Sequence, residues 1–243
     1  MRLDDASVLI TGASGGIGRE VAIRCAARGA LLVLQGRDER VLADLADAVR
    51  GRYLRCDLTT AEGIAAAAAA ARGVDVVVHA AGVGWWGRTV EMAPADVEAL
   101  VALDLIAPIR LTQLLLPAMI ERGRGHIHFV CSIAGLTGVA GEAVYSAAKA
   151  GLSGFADALR LELAGTGVAV STISPGAVAT GFRVPGYVRR LPRPVRPDRV
   201  AAAVVAAVEG DRPRTILPRW LAVAAVVRAA APRAYNRLAR RYA

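Results

Sequence analysis

Short apolar runs alternate with longer helical stretches along most of the chain, and this alternation restricts the fold more than any other feature. The apolar runs predict β-strands at 7–11, 31–35, 52–56, 74–79, 126–131, 168–173 and 214–217. The stretches between them predict helices at 16–28, 39–49, 61–72, 94–122, 143–164 and 198–208. Because the strands are apolar throughout, we expect a parallel sheet with helices on both faces, which is a doubly wound α/β fold.

Length and composition indicate one globular domain covering residues 1–243. Of the 243 residues, 55% are hydrophobic, which excludes disorder. No uncharged apolar run is long enough to span a membrane, and Asp4 and Asp5 oppose a signal peptide, so we expect a cytoplasmic protein. Three scattered cysteines predict neither a disulfide framework nor a metal site. The proline-rich stretch 183–200 is interpreted as a mobile loop that selects the substrate.

The positive charge is concentrated at the C-terminal end. The net charge is +9, yet residues 1–182 hold 16 basic and 18 acidic side chains, whereas residues 183–243 hold 14 and 3. This asymmetry suggests an anionic partner such as a lipid surface, an acidic protein or an acidic substrate. No nucleic-acid partner is expected, because nothing beyond the charge resembles a binding motif.

A glycine-rich turn, TGASGGIG at 11–18, joins the first strand to the first helix. Small residues there allow the backbone to approach a pyrophosphate, and the helix N-terminus supplies N–H donors. The same glycines could serve only the turn itself. At the end of the second strand, Arg37 could bind the 2′-phosphate of NADP, or it could be a solvated residue beside Asp38. We favour NADP, with NAD possible.

Tyr145 and Lys149 are four residues apart, which places them on one face of a helix. A nearby ammonium stabilises a phenolate, so this tyrosine could exchange a proton with a carbonyl or carbinol oxygen. Ser132 follows the fifth predicted strand, at the sheet edge where ligands of doubly wound folds bind. Lys149 is the only lysine among 30 basic residues, which makes an ordinary surface pair a poor explanation.

Taken in order, TGASGGIG, Asp57, HAAG at 79–82, Ser132, YSAAK at 145–149 and Ser174-Pro175-Gly176 resemble the short-chain dehydrogenase/reductase family over residues 5–182. The resemblance implies a Rossmann-type sheet of order 3-2-1-4-5-6-7 and hydride transfer between NAD(P) and a carbonyl or alcohol carbon. It implies that Tyr145 is the general acid and base, that Ser132 orients the substrate oxygen, and that Lys149 holds the nicotinamide ribose. The cofactor-binding residues that it implies are Gly12, Ser14, Gly16, Ile17, Gly18, Arg37, Asp57, Leu58, Ala81, Gly82, Tyr145, Lys149, Pro175, Gly176, Val178 and Thr180. Asp57 could instead be only a helix N-terminal acid, and Pro175-Gly176 an ordinary turn.

The chain departs from the family pattern at Asp104 and at His79, and it also continues well beyond the last predicted strand. Asp104 stands where the family usually carries an asparagine that holds a water in the proton relay. Its charge would favour the protonated form of Lys149 if the two are close, and it could shift the pH profile or weaken activity. His79 replaces another family asparagine, and we expect it to pack as a neutral side chain near the cofactor rather than to act in catalysis.

The segment 218–243 is basic and amphipathic. Trp220, Leu221, Ala224, Val227 and Ala231 are predicted to share one helical stripe, with Tyr235, Leu238 and Tyr242 continuing the apolar face. Such a segment could contact a membrane peripherally, or it could close the substrate cleft or pack in an oligomer. Trp85 and Trp86 are candidates for the mouth of the site. The family resemblance favours a homodimer or homotetramer through the helices around 94–122 and 143–164.

Two functions follow. The first is an NADPH-linked reductase of an apolar ketone or aldehyde. The second is a nucleotide-binding scaffold or regulator that is catalytically weakened by Asp104 and holds an anionic partner through its basic tail. The presence of Ser132, Tyr145 and Lys149 favours the first.

Overall fold

The computed structural model describes residues 1–180 and 194–239, without the side chain of Leu238, and contains a seven-stranded parallel sheet. The strands run in the order β3-β2-β1-β4-β5-β6-β7, which confirms the predicted fold class and strand order. Their bounds are β1 Ser7–Thr11, β2 Leu31–Gly36, β3 Arg52–Arg55, β4 Val76–His79, β5 Gly125–Val130, β6 Val168–Pro175 and β7 Arg214–Leu217.

The helices cover both faces of the sheet. They are α1 Gly16–Ala26, α2 Glu39–Val49, α3 Ala61–Ala70, α4 Pro94–Val101, α5 Ala107–Glu121, α6 Ile133–Thr137, α7 Ala143–Glu162, α8 Pro197–Glu209, α9 Leu221–Ala230 and α10 Pro232–Ala239. One core includes residues of α1, α2 and α8, and the other includes residues of α3, α5 and α7. Because both faces are covered, β4 and β5 are buried along their whole length.

The register of the sheet brings the carboxyl ends of the central strands together. Thr11 of β1 pairs with His79 of β4, and His79 pairs with Phe129 of β5. Val130 at the end of β5 pairs with Ile173 of β6. The loops that follow these strands therefore meet at one edge, at the point where the strand order reverses between β1 and β4.

The predicted helix at 94–122 is interrupted. Between α4 and α5, residues Ala102–Ile106 form a π-helical segment that contains Asp104. Pro108 has no N–H to donate to the carbonyl of Asp104, four residues earlier, so the α-helical ladder cannot continue there. Among the described residues, Pro94–Glu121 is the one helical stretch long and apolar enough to cross a membrane, and much of it packs in the core.

The predicted loop at 183–200 is partly wrong. Residues 197–200 form the first turn of α8, because Pro197 fits a helix N-terminus and Asp198 lies in its first turn. Val195 pairs with Val178 in an isolated parallel bridge. The remainder of that prediction, 183–193, lies outside the described residues, as does Tyr242.

The C-terminal segment forms two short helices beside the carboxyl edge of the sheet. Leu221, at the start of α9, is buried, whereas Trp220 directly before it is exposed. The two side chains therefore do not share one face, which corrects the predicted stripe. The exposed side of α9 instead carries Val223 and Val226.

Candidate active site

A cavity of about 670 Å³ opens at the carboxyl edge of the sheet. It extends from the glycine-rich turn between β1 and α1 to the tyrosine and lysine of α7. Every residue predicted to bind the cofactor lines it, together with Ser132 and Asp104. These residues are Gly12, Ser14, Gly16, Ile17, Gly18, Arg37, Asp57, Leu58, Ala81, Gly82, Tyr145, Lys149, Pro175, Gly176, Val178 and Thr180.

The glycine-rich turn is packed too closely for side chains. Gly12 has a φ of 65°, and a Cβ atom there would lie 2.6 Å from the Cα of Ala81. A Cβ on Gly16 would lie 2.6 Å from Cγ2 of Thr180. Both glycines are therefore needed by the fold itself, and together they leave the N-terminus of α1 beside the cavity. That arrangement fits an anionic pyrophosphate.

Gln35, at the end of β2, fixes this turn and was not predicted. Its backbone oxygen accepts from the N–H of Ala13 at 2.9 Å, and its Oε1 accepts from the N–H of Gly12 at 3.3 Å. Its Nε2 donates to the carbonyl of Cys56 at 2.8 Å, which ties the turn to the end of β3. The available signal was a polar residue that ends an otherwise apolar strand.

Two charged residues that follow β2 differ in whether their side chains are engaged within the protein. Asp38 caps α2 by accepting from the N–H of Val41 at 3.1 Å, so its carboxylate is engaged by the helix. Arg37 lines the cavity, is exposed, and has no ion-pair partner among the described residues. Beside them, Asp57 accepts from the N–H and the hydroxyl of Thr59, each at 2.9 Å. The hydrogen bond from the Thr59 backbone holds the pKa of Asp57 below its usual range.

Ser132 and Tyr145 meet at the other end of the cavity. Ser132 caps α6, with its Oγ accepting from the N–H of Ala134 at 3.1 Å, and it also forms a hydrogen bond with Tyr145. The ammonium of Lys149 lies 5.7 Å from the centre of the Tyr145 ring. The structure therefore brings together the three residues that the YSAAK motif and the end of β5 predicted.

Lys149 is held from two sides. Its Nζ lies 2.9 Å from Oδ2 of Asp104 and donates to the carbonyl of Val130 at 3.4 Å. Oδ1 of Asp104 accepts from the N–H of Val83 at 2.7 Å. Both charged side chains are buried, and a Cβ on Gly82 would lie 3.1 Å from Asp104, which explains the glycine there. The expectation that Asp104 lies close to Lys149 is confirmed.

Burial and charge act in opposite directions on these groups. Burial has the largest single effect on the pKa of Lys149 and lowers it, but the charge of Asp104, the charge of the Tyr145 phenolate and the hydrogen bond to Asp104 together outweigh burial and raise that pKa above its ordinary value. Burial raises the pKa of Tyr145; Lys149 opposes this effect, whereas Asp104 adds to it. The carboxylate therefore keeps the lysine protonated and weakens its influence on the tyrosine.

His79 is a neutral packing residue, as the sequence suggested. Its ring stacks on Phe129 with centroids 5.0 Å apart, and its Nε2 lies 3.0 Å from the hydroxyl of Thr112. Burial lowers the pKa of His79 to about 3. His126 and His128 share the hydroxyl of Ser171, and among the described residues no His, Cys, Asp or Glu cluster could hold a metal.

Three residues that the sequence did not single out also line the cavity, and they are Leu103, Val139 and Glu142. Leu221, from the C-terminal segment, lines it as well. Trp85 and Trp86 are not among the residues that line the cavity. A Cβ on Gly87 would meet the Trp85 ring, and one on Gly141 the Trp86 ring, so both indoles pack on glycines.

A dinucleotide fits the residues present. The cavity volume is in the range of small-molecule sites, one end is a glycine-lined helix N-terminus, and the other end holds the Tyr145 and Lys149 pair.

Comparisons with known proteins agree with this geometry. A sequence model described as short chain dehydrogenase matches residues 6–186. Ketoacyl reductase HetN of Nostoc sp. is 36% identical over 87% of this chain and 78% of that protein. A short-chain dehydrogenase from Sphingobium yanoikuyae in complex with NADPH has a TM-score of 0.84 and 30% identity over 92% of this chain and 94% of that one.

A third similar protein is the bulky-bulky ketone specific alcohol dehydrogenase from Comamonas testosteroni. Its TM-score is 0.81 and its identity is 26%, over 94% of each chain. With the matched family model, the sheet order and the intact serine, tyrosine and lysine, the chain belongs to the short-chain dehydrogenase/reductase family of NAD(P)-dependent oxidoreductases.

Proposed function

We propose that this enzyme uses NADPH to reduce an apolar ketone or aldehyde to the alcohol. The observation that carries the proposal is the contact between Ser132 and Tyr145, in the same cavity as the Lys149 ammonium. These are the groups needed to bind a carbonyl oxygen and to give it a proton.

Each residue has a role in this reaction. The hydroxyls of Ser132 and Tyr145 would donate hydrogen bonds to the carbonyl oxygen, which polarises the carbon. Tyr145 would then transfer its proton to the oxygen as negative charge develops there. The bound cofactor would supply the hydride. Lys149, held by Asp104, would orient the nicotinamide ribose and supply a positive charge beside Tyr145.

The preference for NADPH rests on Arg37. Its guanidinium lies in the cavity wall near the end of β2 without an ion-pair partner among the described residues, whereas Asp38 is engaged in capping α2. A free guanidinium suits a 2′-phosphate, which a bidentate fork can bind. Asp57 and Leu58 would lie against the adenine, and residues 175–180 against the nicotinamide end.

An apolar substrate is supported by Leu103, Val139 and Leu221 in the cavity wall. Two relatives carry names that agree, one as a ketoacyl reductase and one as a dehydrogenase for bulky ketones. We further propose a homodimer or homotetramer, because α5 and α7 leave Leu114 and Leu161 exposed. We also propose that the enzyme is cytoplasmic and contacts a membrane peripherally through its C-terminal segment. The scaffold alternative finds no support among the relatives.

The experiment is to replace Tyr145 by Phe, which removes the proton donor but keeps the ring. Turnover of NADPH with a panel of apolar ketones should fall by roughly 10²–10⁴-fold. NADPH binding, followed by nucleotide fluorescence, should stay within a few-fold, since the cofactor contacts remain. The matched control is Tyr53→Phe, an exposed tyrosine of β3 outside the cavity. Turnover that survives in Tyr145→Phe would refute the proposal.

A further inference from the structure

The helix α9 has two different sides. Leu221 is buried and lines the cavity, whereas Trp220, Val223 and Val226 are 57%, 63% and 65% exposed. These three exposed residues, spaced three apart, form an outward apolar stripe that no described residue covers. Large apolar side chains grouped on one exposed helix face usually mark a contact surface.

The helix α9 and the following helix α10 are each hydrogen-bonded to the rim of the catalytic site. The guanidinium of Arg228 donates to the carbonyl of Leu136 at 3.0 Å, and the hydroxyl of Tyr235 donates to the carbonyl of Gly138 at 3.4 Å. Leu136 belongs to α6, the helix that Ser132 caps. The outward stripe is therefore held in place beside the substrate end of the cavity.

The charge around the stripe is of one sign. Residues 212–243 contain eight arginines and no acidic residue. Arg219 precedes Trp220, and Arg233 and Arg237 are exposed on α10. A tryptophan and two valines on a segment whose charged side chains are all arginines match the chemistry of an anionic bilayer surface, in which apolar groups enter the interface and guanidinium groups meet phosphates.

We propose that α9 docks on an anionic lipid bilayer and that the cavity receives a lipid-soluble carbonyl compound from that bilayer. The substrate part rests on the proposed reductase function, whereas the docking part rests only on the proposed membrane contact, for which it names the surface and the lipid charge. Because Leu221 and the stripe lie on opposite sides of one short helix, docking brings the cavity rim to the lipid surface. A substrate that partitions into the bilayer then reaches Ser132 and Tyr145 without crossing bulk water.

Docking is tested by co-sedimentation of the full chain with vesicles of phosphatidylcholine, with and without phosphatidylglycerol. We expect binding to the anionic vesicles that weakens with added salt. The variant Val223→Ser/Val226→Ser should bind about tenfold more weakly, because it loses buried apolar surface. The control is Leu31→Ser, which removes an equally exposed apolar side chain (63%) at the opposite edge of the sheet.

Tryptophan fluorescence identifies the contact. Brominated phosphatidylglycerol should quench part of the emission, and Trp220→Phe should lose that quenching while it still sediments with vesicles. Trp85 and Trp86 pack on Gly87 and Gly141 and serve as internal controls. The docking proposal is overturned if anionic vesicles do not bind the chain, or if both valine replacements leave binding unchanged. It is also overturned if the stripe instead joins two copies of the chain. In that case the measured mass would rise with protein concentration, and the valine variant would not show this rise.

The substrate part has a separate readout. With NADPH, reduction of 2-tridecanone held in anionic vesicles should fall in Val223→Ser/Val226→Ser as vesicle binding falls, while reduction of 2-hexanone in solution should not change. The delivery of substrate from the bilayer is overturned if the rates of reduction of both ketones fall equally, or if neither rate falls. If no ketone is reduced although vesicles bind, the reductase proposal fails and the docking surface stands.

Discussion

The ammonium of Lys149 lies 2.9 Å from Oδ2 of Asp104, and both side chains are buried next to Tyr145. The charged groups that act on Tyr145 are Lys149 on its own helix, Asp104 on the π-helical segment and Glu142 before α7. Burial has the largest effect and raises the pKa of Tyr145; Lys149 opposes burial, whereas the two carboxylates add to it. The site therefore holds the proton on the tyrosine, which suits a residue that must donate it to a carbonyl oxygen.

Asp104→Asn removes one of the two carboxylates that oppose the effect of Lys149 on Tyr145. The pKa of Tyr145 should then fall, since Lys149 acts with less opposition. Oxidation of an alcohol needs the deprotonated tyrosine, so the acid limb of its pH profile should move to lower pH. Turnover should stay equal or rise, and Oδ1 would still accept from Val83. The measurement is the rate of alcohol oxidation against pH for both proteins; a profile that stays in place would contradict the role given to the carboxylate.

Asp104→Leu tests the same pair by stability. It leaves the Lys149 ammonium buried without its counter-charge, which we expect to cost about 3–5 kcal/mol in the free energy of unfolding. The measurement is the free energy of unfolding by urea for Asp104→Leu, Asp104→Asn and the wild type. Equal stability of the leucine variant and the wild type would show that the ion pair does not hold the lysine.

Gly12→Ala should damage the cofactor site through the backbone. The added Cβ would lie 2.6 Å from the Cα of Ala81, and the φ of 65° is costly for alanine. We expect loss of stability and of NADPH binding. The matched control is Gly154→Ala in α7, where a Cβ meets nothing within 4 Å and alanine should stabilise the helix by up to about 1 kcal/mol. Normal binding in the Gly12 variant would rule out the close packing of this turn.

Acid should unfold the protein at a mild pH. Burial lowers the pKa values of His79, His126 and His128 to about 3, 4 and 3, while in the unfolded chain they titrate near the ordinary value of 6.5. Below about pH 6.5 the unfolded state binds more protons, so stability falls as the pH falls towards these folded values. Each histidine contributes a loss of about 1.4 kcal/mol per pH unit. Urea unfolding at several pH values should show this loss, with unfolding complete before pH 4; a protein equally stable at pH 7 and pH 5 would contradict it.

The strands and the residues of the site could be predicted because they depend on local sequence. All seven strands lie within two residues of their predicted limits. The central strands could be recognised because buried parallel strands are largely apolar, whereas β3, with the sequence RYLR, is mostly exposed. Gln35 could not be predicted, because its hydrogen bonds to Gly12 and Cys56 depend on the pairing of β2 with its neighbours. The opposite orientations of Trp220 and Leu221 were missed although adjacent residues of a helix lie about 100° apart; Trp220 instead shares the exposed face of Val223 and Val226.

The most direct test of the account is a fluorescence titration of the purified protein with NADPH and with NADH, repeated for Arg37→Ala. Arg37 lines the cavity without an ion-pair partner among the described residues, and a charge-assisted hydrogen bond to a 2′-phosphate contributes about 1.5–3 kcal/mol. We predict that NADPH binds at least about tenfold more tightly than NADH and that Arg37→Ala removes this difference without changing NADH binding. Tighter binding of NADH, or binding of neither nucleotide, would contradict the account.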